Sequence, residues 1–225
     1  MNARIPSTSP HLYPPVTTAR CAVVALALAV VAWAARAVWQ IRLAAAGMPD
    51  SGPPDQGMGE HRPLNALENS YHLVSALGDI VTALCVVTFL LWLLRVRENA
   101  LVLSGGPPRY GLPWVYAGWI VPLANLWVPR GIIVDVHRAS APDERLPRVV
   151  NWWWGLWIAG MLSGLGLMYA PAKDDVIVRA YDNVYPLLAA DLVLMGAAVA
   201  AALVVRALTA AQMRRPEVLA PSGQE

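Results

Sequence analysis

Four long apolar runs, each of bilayer-crossing length and nearly free of charge, constrain this chain more than any other feature. They cover about 21–41, 72–94, 150–170 and 184–208. A crossing helix needs ~20 largely apolar residues. Backbone groups in hydrocarbon must bond internally, so such runs become helices. With 57% hydrophobic and 14% charged residues, the expected fold class is an all-α integral membrane protein. Residues 1–19, rich in Pro, Ser and Thr, read as a disordered tail. Residues 20–211 form one membrane domain and 212–225 a polar tail. Ala44-Ala45-Ala46 would suit signal-peptide cleavage, but the long leader and long apolar core favour an uncleaved first span.

The stretch 112–128 is different. It carries no charge but spans only 17 residues and contains Pro113 and Pro122. Pro122 removes a backbone donor in mid-segment and disfavours helix at Val121. We expect a Pro-broken re-entrant or interfacial segment rather than a simple span. Over 130–140, Ile132, Ile133, Val136 and Ala139 share one helical face, with Arg130, Asp135 and Arg138 opposite. That pattern suits an amphipathic surface helix, and equally a loop helix packed on the spans. Trp152, Trp153, Trp154 and Trp157 then mark a membrane boundary.

Basic residues set the topology. With 112–128 returning to the side it left, Arg4, Arg20, Arg95, Arg97, Arg109, Arg130, Arg138, Arg145, Arg148, Arg206, Arg214 and Arg215 share one side. Only Arg42, Arg62, Lys173 and Arg179 lie on the other. A fifth crossing would put nine basic residues outside against seven inside. The positive-inside rule therefore favours four transmembrane helices with both termini cytoplasmic, in the plasma membrane. The acidic loop 47–69 and the loop 171–183 then face outward.

This topology places Arg36, Asp79 and Asp191 at one depth, roughly 10 Å below the outer surface at 1.5 Å per residue. Charges inside spans tend to face the bundle interior and to pair. The three form either a proton- or cation-linked site or a clasp between helices, and Arg36 could also snorkel outward. Gly160 and Gly164 are spaced for close helix approach, within the chain or to a second copy.

Several classes are disfavoured. Cys21 and Cys85 both sit in apolar runs, and His11, His61, His72 and His137 are scattered, so neither a disulfide framework nor a metal site is expected. A net charge of +2 without a basic cluster argues against nucleic-acid binding. No cofactor or nucleotide motif and no catalytic constellation appears, so an enzyme is not expected. The excess of Arg over Lys and the abundance of Ala and Val suggest a high-G+C bacterial genome.

Within 107–157 the chain reads Gly118-Trp119-Ile120-Val121-Pro122-Leu123-Ala124-Asn125-Leu126-Trp127, then Pro129, Asp135 and Arg138-Ala139-Ser140, with Trp152-Trp153 and Trp157 beyond. In these residues it resembles the actinobacterial membrane proteins of domain of unknown function 4328, over roughly 70–210. The resemblance implies a multi-pass membrane protein and carries no activity or catalytic residue with it. The leading expectation is a non-enzymatic membrane component that binds lipid or a protein partner through the cytoplasmic face of 95–150. The alternative is a small proton- or ion-linked channel or transporter using Arg36, Asp79 and Asp191.

Overall fold

The computed structural model describes residues 12–55, 62–169 and 176–215. Most of the expected amino-terminal tail, residues 216–225 of the expected polar tail, His11, His61 and Lys173 lie outside those residues. Gln212, read as the start of that polar tail, is instead buried in the last turn of the final helix. The described chain is helical, with no strand beyond one isolated bridge between Pro54 and Arg62. Seven α-helices follow in order: α1 Val16–Ala46, α2 Ala66–Ser104, α3 Leu112–Ile120, α4 Val128–Ser140, α5 Arg148–Tyr169, α6 Val176–Asp182 and α7 Tyr185–Met213. A single 3-10 turn, Ala124–Leu126, separates α3 from α4.

Three helices, α1, α2 and α7, are long and apolar enough to cross a membrane. The 22-residue α5 is one continuous helix whose tryptophans and glycines lower its hydropathy. Several boundaries differ from the sequence reading. Helix α1 begins at Val16, inside the stretch expected to be disordered, where the Thr18 hydroxyl donates to the Pro15 carbonyl at 3.0 Å. Helix α2 runs ten residues past Leu94, because Arg95, Arg97 and Glu98 end its apolar stretch without breaking the helix. The charged loop before the last span contains α6.

The chain divides into two compact units. In the first (1–20, 89–146 and 205–225), the later part of α2, the end of α7 and the α3–α4 segment bury Trp92, Leu93, Val96, Val115, Ile133 and Leu208. Phe89 packs edge-on against Trp119, ring centroids 5.8 Å apart. In the second (21–88 and 147–204), Leu43, Tyr71, Ile177, Ala180 and Leu187 form a buried cluster flanked by Trp39, Leu64, Leu67 and Tyr181. Its helices leave Val24, Leu28, Val31, Leu77, Ile80, Leu84, Leu192 and Val199 exposed. Helices that are apolar on their outer as well as their inner faces suit a hydrocarbon surround.

Candidate functional site

The charges read inside the spans are only partly brought together. In the second unit the Arg36 guanidinium forks onto Asp191, Nε donating to Oδ2 at 3.3 Å and Nη2 donating to Oδ1. Asp191 is 1% exposed, so its charge is compensated within the protein. Tyr71 lies beside Gln40 and Ser75 within electrostatic reach of this pair. Asp79 acts on Arg36 through space, yet its side chain is exposed on α2. It makes no hydrogen bond or ion pair among the described residues. Spacing along the chain suggested that the three could meet; the direction each residue faces around its helix was not legible.

A second polar centre in this unit escaped the sequence reading. Asn65 caps α2: its Oδ1 accepts from the Glu68 N–H at 2.9 Å, while Glu68 Oε2 accepts from the Asn65 N–H at 2.8 Å. This is a reciprocal capping box, visible in retrospect as Asn65-x-x-Glu68 ahead of the apolar run. Arg62 forks onto the same carboxylate at 2.8 and 2.6 Å and Tyr181 donates to it at 2.7 Å. The Arg62 Nε also donates to the Gly52 carbonyl. Burial pushes the Glu68 carboxyl up, but its bonds from Arg62, Asn65 and Tyr181 prevail and hold it down to about 2. The acidic loop is thereby fastened at Gly52, Arg62 and Glu68.

In the first unit the Trp- and Pro-rich segment is a helix, a break and a second helix. Val121 takes an extended conformation (φ −75°, ψ 115°), as the residue before Pro122 should. Asn125 is buried in the 3-10 turn, and Val128 and Pro129 open α4 from inside the fold. Close approach explains two glycines: a Cβ on Gly118 would meet Val128 Cγ1 at 2.7 Å, and one on Gly131 would meet the Tyr110 ring at 2.6 Å. Helix α4 turns Ile132, Ile133 and Val136 inward with His137 and Ser140. Of the two readings of this helix, the packed one describes its apolar face. Trp127 and Arg138 are exposed; in the second unit Trp152 is 70% exposed and Trp153 buried. Gly160 approaches Leu194 of α7, whereas a Cβ on Gly164 would meet nothing within 4 Å.

A buried polar network ties this first unit together. Asn99 Nδ2 donates to the Tyr13 carbonyl at 2.8 Å and to Gln212 Oε1 at 3.1 Å, while Asn99 Oδ1 accepts from the Tyr13 N–H. Gln212 Nε2 donates to the Val96 carbonyl at 2.7 Å and to the Ser140 hydroxyl at 3.2 Å. Buried amides need such partners, but no local pattern announces a bond between residues so far apart in sequence.

Residues 62–210 match the family described as a domain of unknown function, DUF4328. The chain belongs to that family. The DUF4328 match takes in Asp79, Asp191 and the whole Pro-broken segment and leaves α1, with Arg36, outside it. No curated protein and no solved structure matches the chain.

Proposed function

We propose that this DUF4328 protein is a non-enzymatic, multi-pass component of the plasma membrane that binds lipid or a protein partner through the face formed by residues 95–150. One observation carries the reading. On the outside of the break at Pro122, Ile120 (79% exposed), Leu123 (69%) and Trp127 (54%) present an apolar patch, while the segment's other side is locked into the fold by Val128 and Pro129. A fixed apolar patch on irregular backbone suits a re-entrant or interfacial element, or a partner's apolar surface. Substituting Glu for Ile120 or Leu123 should abolish in-cell crosslinking from a photoreactive residue at position 126 without lowering abundance. Unchanged crosslinks in both variants would refute it.

Four crossings, by α1, α2, α5 and α7, with both termini cytoplasmic, are part of the proposal. Support comes from Asn99, which bonds Tyr13 ahead of α1 and Gln212 near the end of α7. Paired cytoplasmic and periplasmic reporters fused after Gln212 test it: an external signal would overturn it. The open face at Gly164 is the proposed contact with a second copy or partner helix.

A second reading, a proton- or ion-linked pathway, is favoured by one observation, the exposed carboxylate of Asp79 within electrostatic reach of Arg36, which is paired with the buried Asp191. Proteoliposome flux abolished by both Asp79→Asn and Asp191→Asn would support it. Flux unaffected by either would sink it.

A further inference from the structure

The first unit contains a cleft of about 420 Å³ between the end of α2, the following linker and α4, a volume in the range of small-molecule sites. Its polar lining is lopsided. Arg97, Arg109, Arg138 and Arg215 all reach it, against a single carboxylate, Asp135. The remaining wall is largely apolar, with Leu101, Ile132 and Val136 among its residues.

Two of these arginines are fixed by groups that leave their charge standing. Arg97 is only 8% exposed, and its Nη2 donates to the Tyr110 carbonyl at 2.9 Å. Among the described residues it has no ion-pair partner. A cation this buried without a counter-charge is costly. Arg215 donates from Nε to the Ser140 carbonyl at 2.9 Å and from Nη2 to the Ala139 carbonyl. It thereby occupies the carbonyls at the negative end of α4, which would otherwise oppose an anion. Arg109 lies over the Tyr110 ring, 5.4 Å from its centroid. The nearby Glu144 is engaged by Arg214 at 2.9 Å.

We propose that this cleft is an anion site for an amphiphilic phosphate ester, the phosphate held by Arg97, Arg109 and Arg138 and the apolar body laid along Leu101 and Val136. Guanidinium forks match the oxygens of phosphate, and several in one place favour a group that carries more than one negative charge. Asp135 tempers the site and acts against the ligand. The phosphate could belong to a lipid headgroup or to a soluble ester. The proposal stands independently of the patch at Pro122.

The test is calorimetric titration of the full chain in a neutral detergent with three probes: inorganic pyrophosphate, dihexanoyl phosphatidic acid and dihexanoyl phosphatidylcholine. Phosphatidic acid should bind, phosphatidylcholine at least about tenfold more weakly. Arg109→Gln and Arg138→Gln should each weaken binding about tenfold or more, on the scale of one charge-assisted hydrogen bond. Both are exposed side chains, and an unchanged thermal midpoint confirms the fold. Arg145→Gln, outside the cleft, should change nothing, and Asp135→Asn should tighten binding. Phosphatidic acid bound without pyrophosphate identifies a lipid source; pyrophosphate bound as well, but more weakly, identifies a soluble ester, and equal affinity would overturn the role of the apolar wall. No binding of either anion, binding indifferent to Arg109 and Arg138, or weakening by Asp135→Asn would each overturn the proposal. Leu123→Glu, which tests the patch, should leave this titration unaltered, so the two ideas fail separately.

Discussion

Arg36 and Asp191, 155 residues apart in sequence, meet through a two-pronged contact in which one guanidinium serves both carboxylate oxygens. The contact ties α1 to α7 in an apolar setting where the buried Asp191 carboxylate alone would be stranded, while Arg36 is partly exposed. Breaking a buried pair by removing one partner costs about 3–5 kcal/mol, whereas replacing both with apolar residues is often close to neutral. Arg36→Met, which strands the buried Asp191 carboxylate, should therefore lower the thermal midpoint sharply in detergent, and Arg36→Met with Asp191→Leu should recover most of the loss. Asp79→Asn should leave the midpoint within experimental error. A double variant as unstable as the single one would show that the pair does more than neutralise charge.

Glu68 should impose an acid transition on the second unit. Its carboxyl is held at about 2 in the fold against an ordinary value near 4.3. The stabilisation is full above the unfolded value and is lost as pH falls toward 2, because the unfolded chain takes up the proton first. The loss is roughly 3 kcal/mol at about 1.4 kcal/mol per pKa unit. Emission from Trp39, which packs on the neighbouring cluster, reports it in a chain whose other tryptophans are replaced by Phe. Glu68→Gln should remove the transition, and a transition that persisted in that variant would have another origin.

His137 should give the first unit a separate transition at milder pH. Burial lowers its pKa, with Glu144 opposing. The unfolded chain is therefore protonated first as pH falls below about 6.5, so stability is full above that value and declines through the folded pKa. His137→Leu should flatten the dependence of the unfolding midpoint between pH 7 and 5. An unchanged slope would remove His137 as its source.

Two glycine-to-alanine changes should act in opposite directions. Gly131→Ala puts a methyl group 2.6 Å from the Tyr110 ring, whose backbone carbonyl holds Arg97. We expect a loss of about 1–3 kcal/mol, as for overpacked sites. Gly164→Ala meets open space within one copy and, in a chain kept monomeric by detergent, gains helix propensity of up to about 1 kcal/mol. Thermal midpoints of the purified chain decide both, and equal shifts would contradict the packing described.

Much of this was legible in the residues, for physical reasons. Apolar run length gives helices in lipid, Pro122 gives the break, and the spacing of Ile132, Ile133 and Val136 gives the buried face of α4. Arg36 and Asp191, charges set inside apolar runs, are each expected to seek a partner, and they meet. Asp79 shows where the reasoning stops: depth follows from counting residues, but which way a side chain faces depends on how the helix is rotated against its neighbours. Hydropathy also hid the far end of α2, where Arg95 and Glu98, 3.6 Å apart one turn on, belong to a helix that has left its apolar stretch. The arginine cleft was invisible because its members come from α2, the linker, α4 and the turn after α7.

Asn99 turns the order of synthesis into a condition on assembly. Its bond to Tyr13 can form once α2 has been made, but its bond to Gln212, and those from Gln212 to Val96 and Ser140, wait for the closing turns of α7. Until that turn emerges from the ribosome, one amide donor of Asn99 and the second lone pair of the Val96 carbonyl have no mate in the finished core. The last turn of the last helix thus acts as the keystone: a chain cut short before it leaves the Asn99 amide and the Ser140 hydroxyl without their bonds to Gln212.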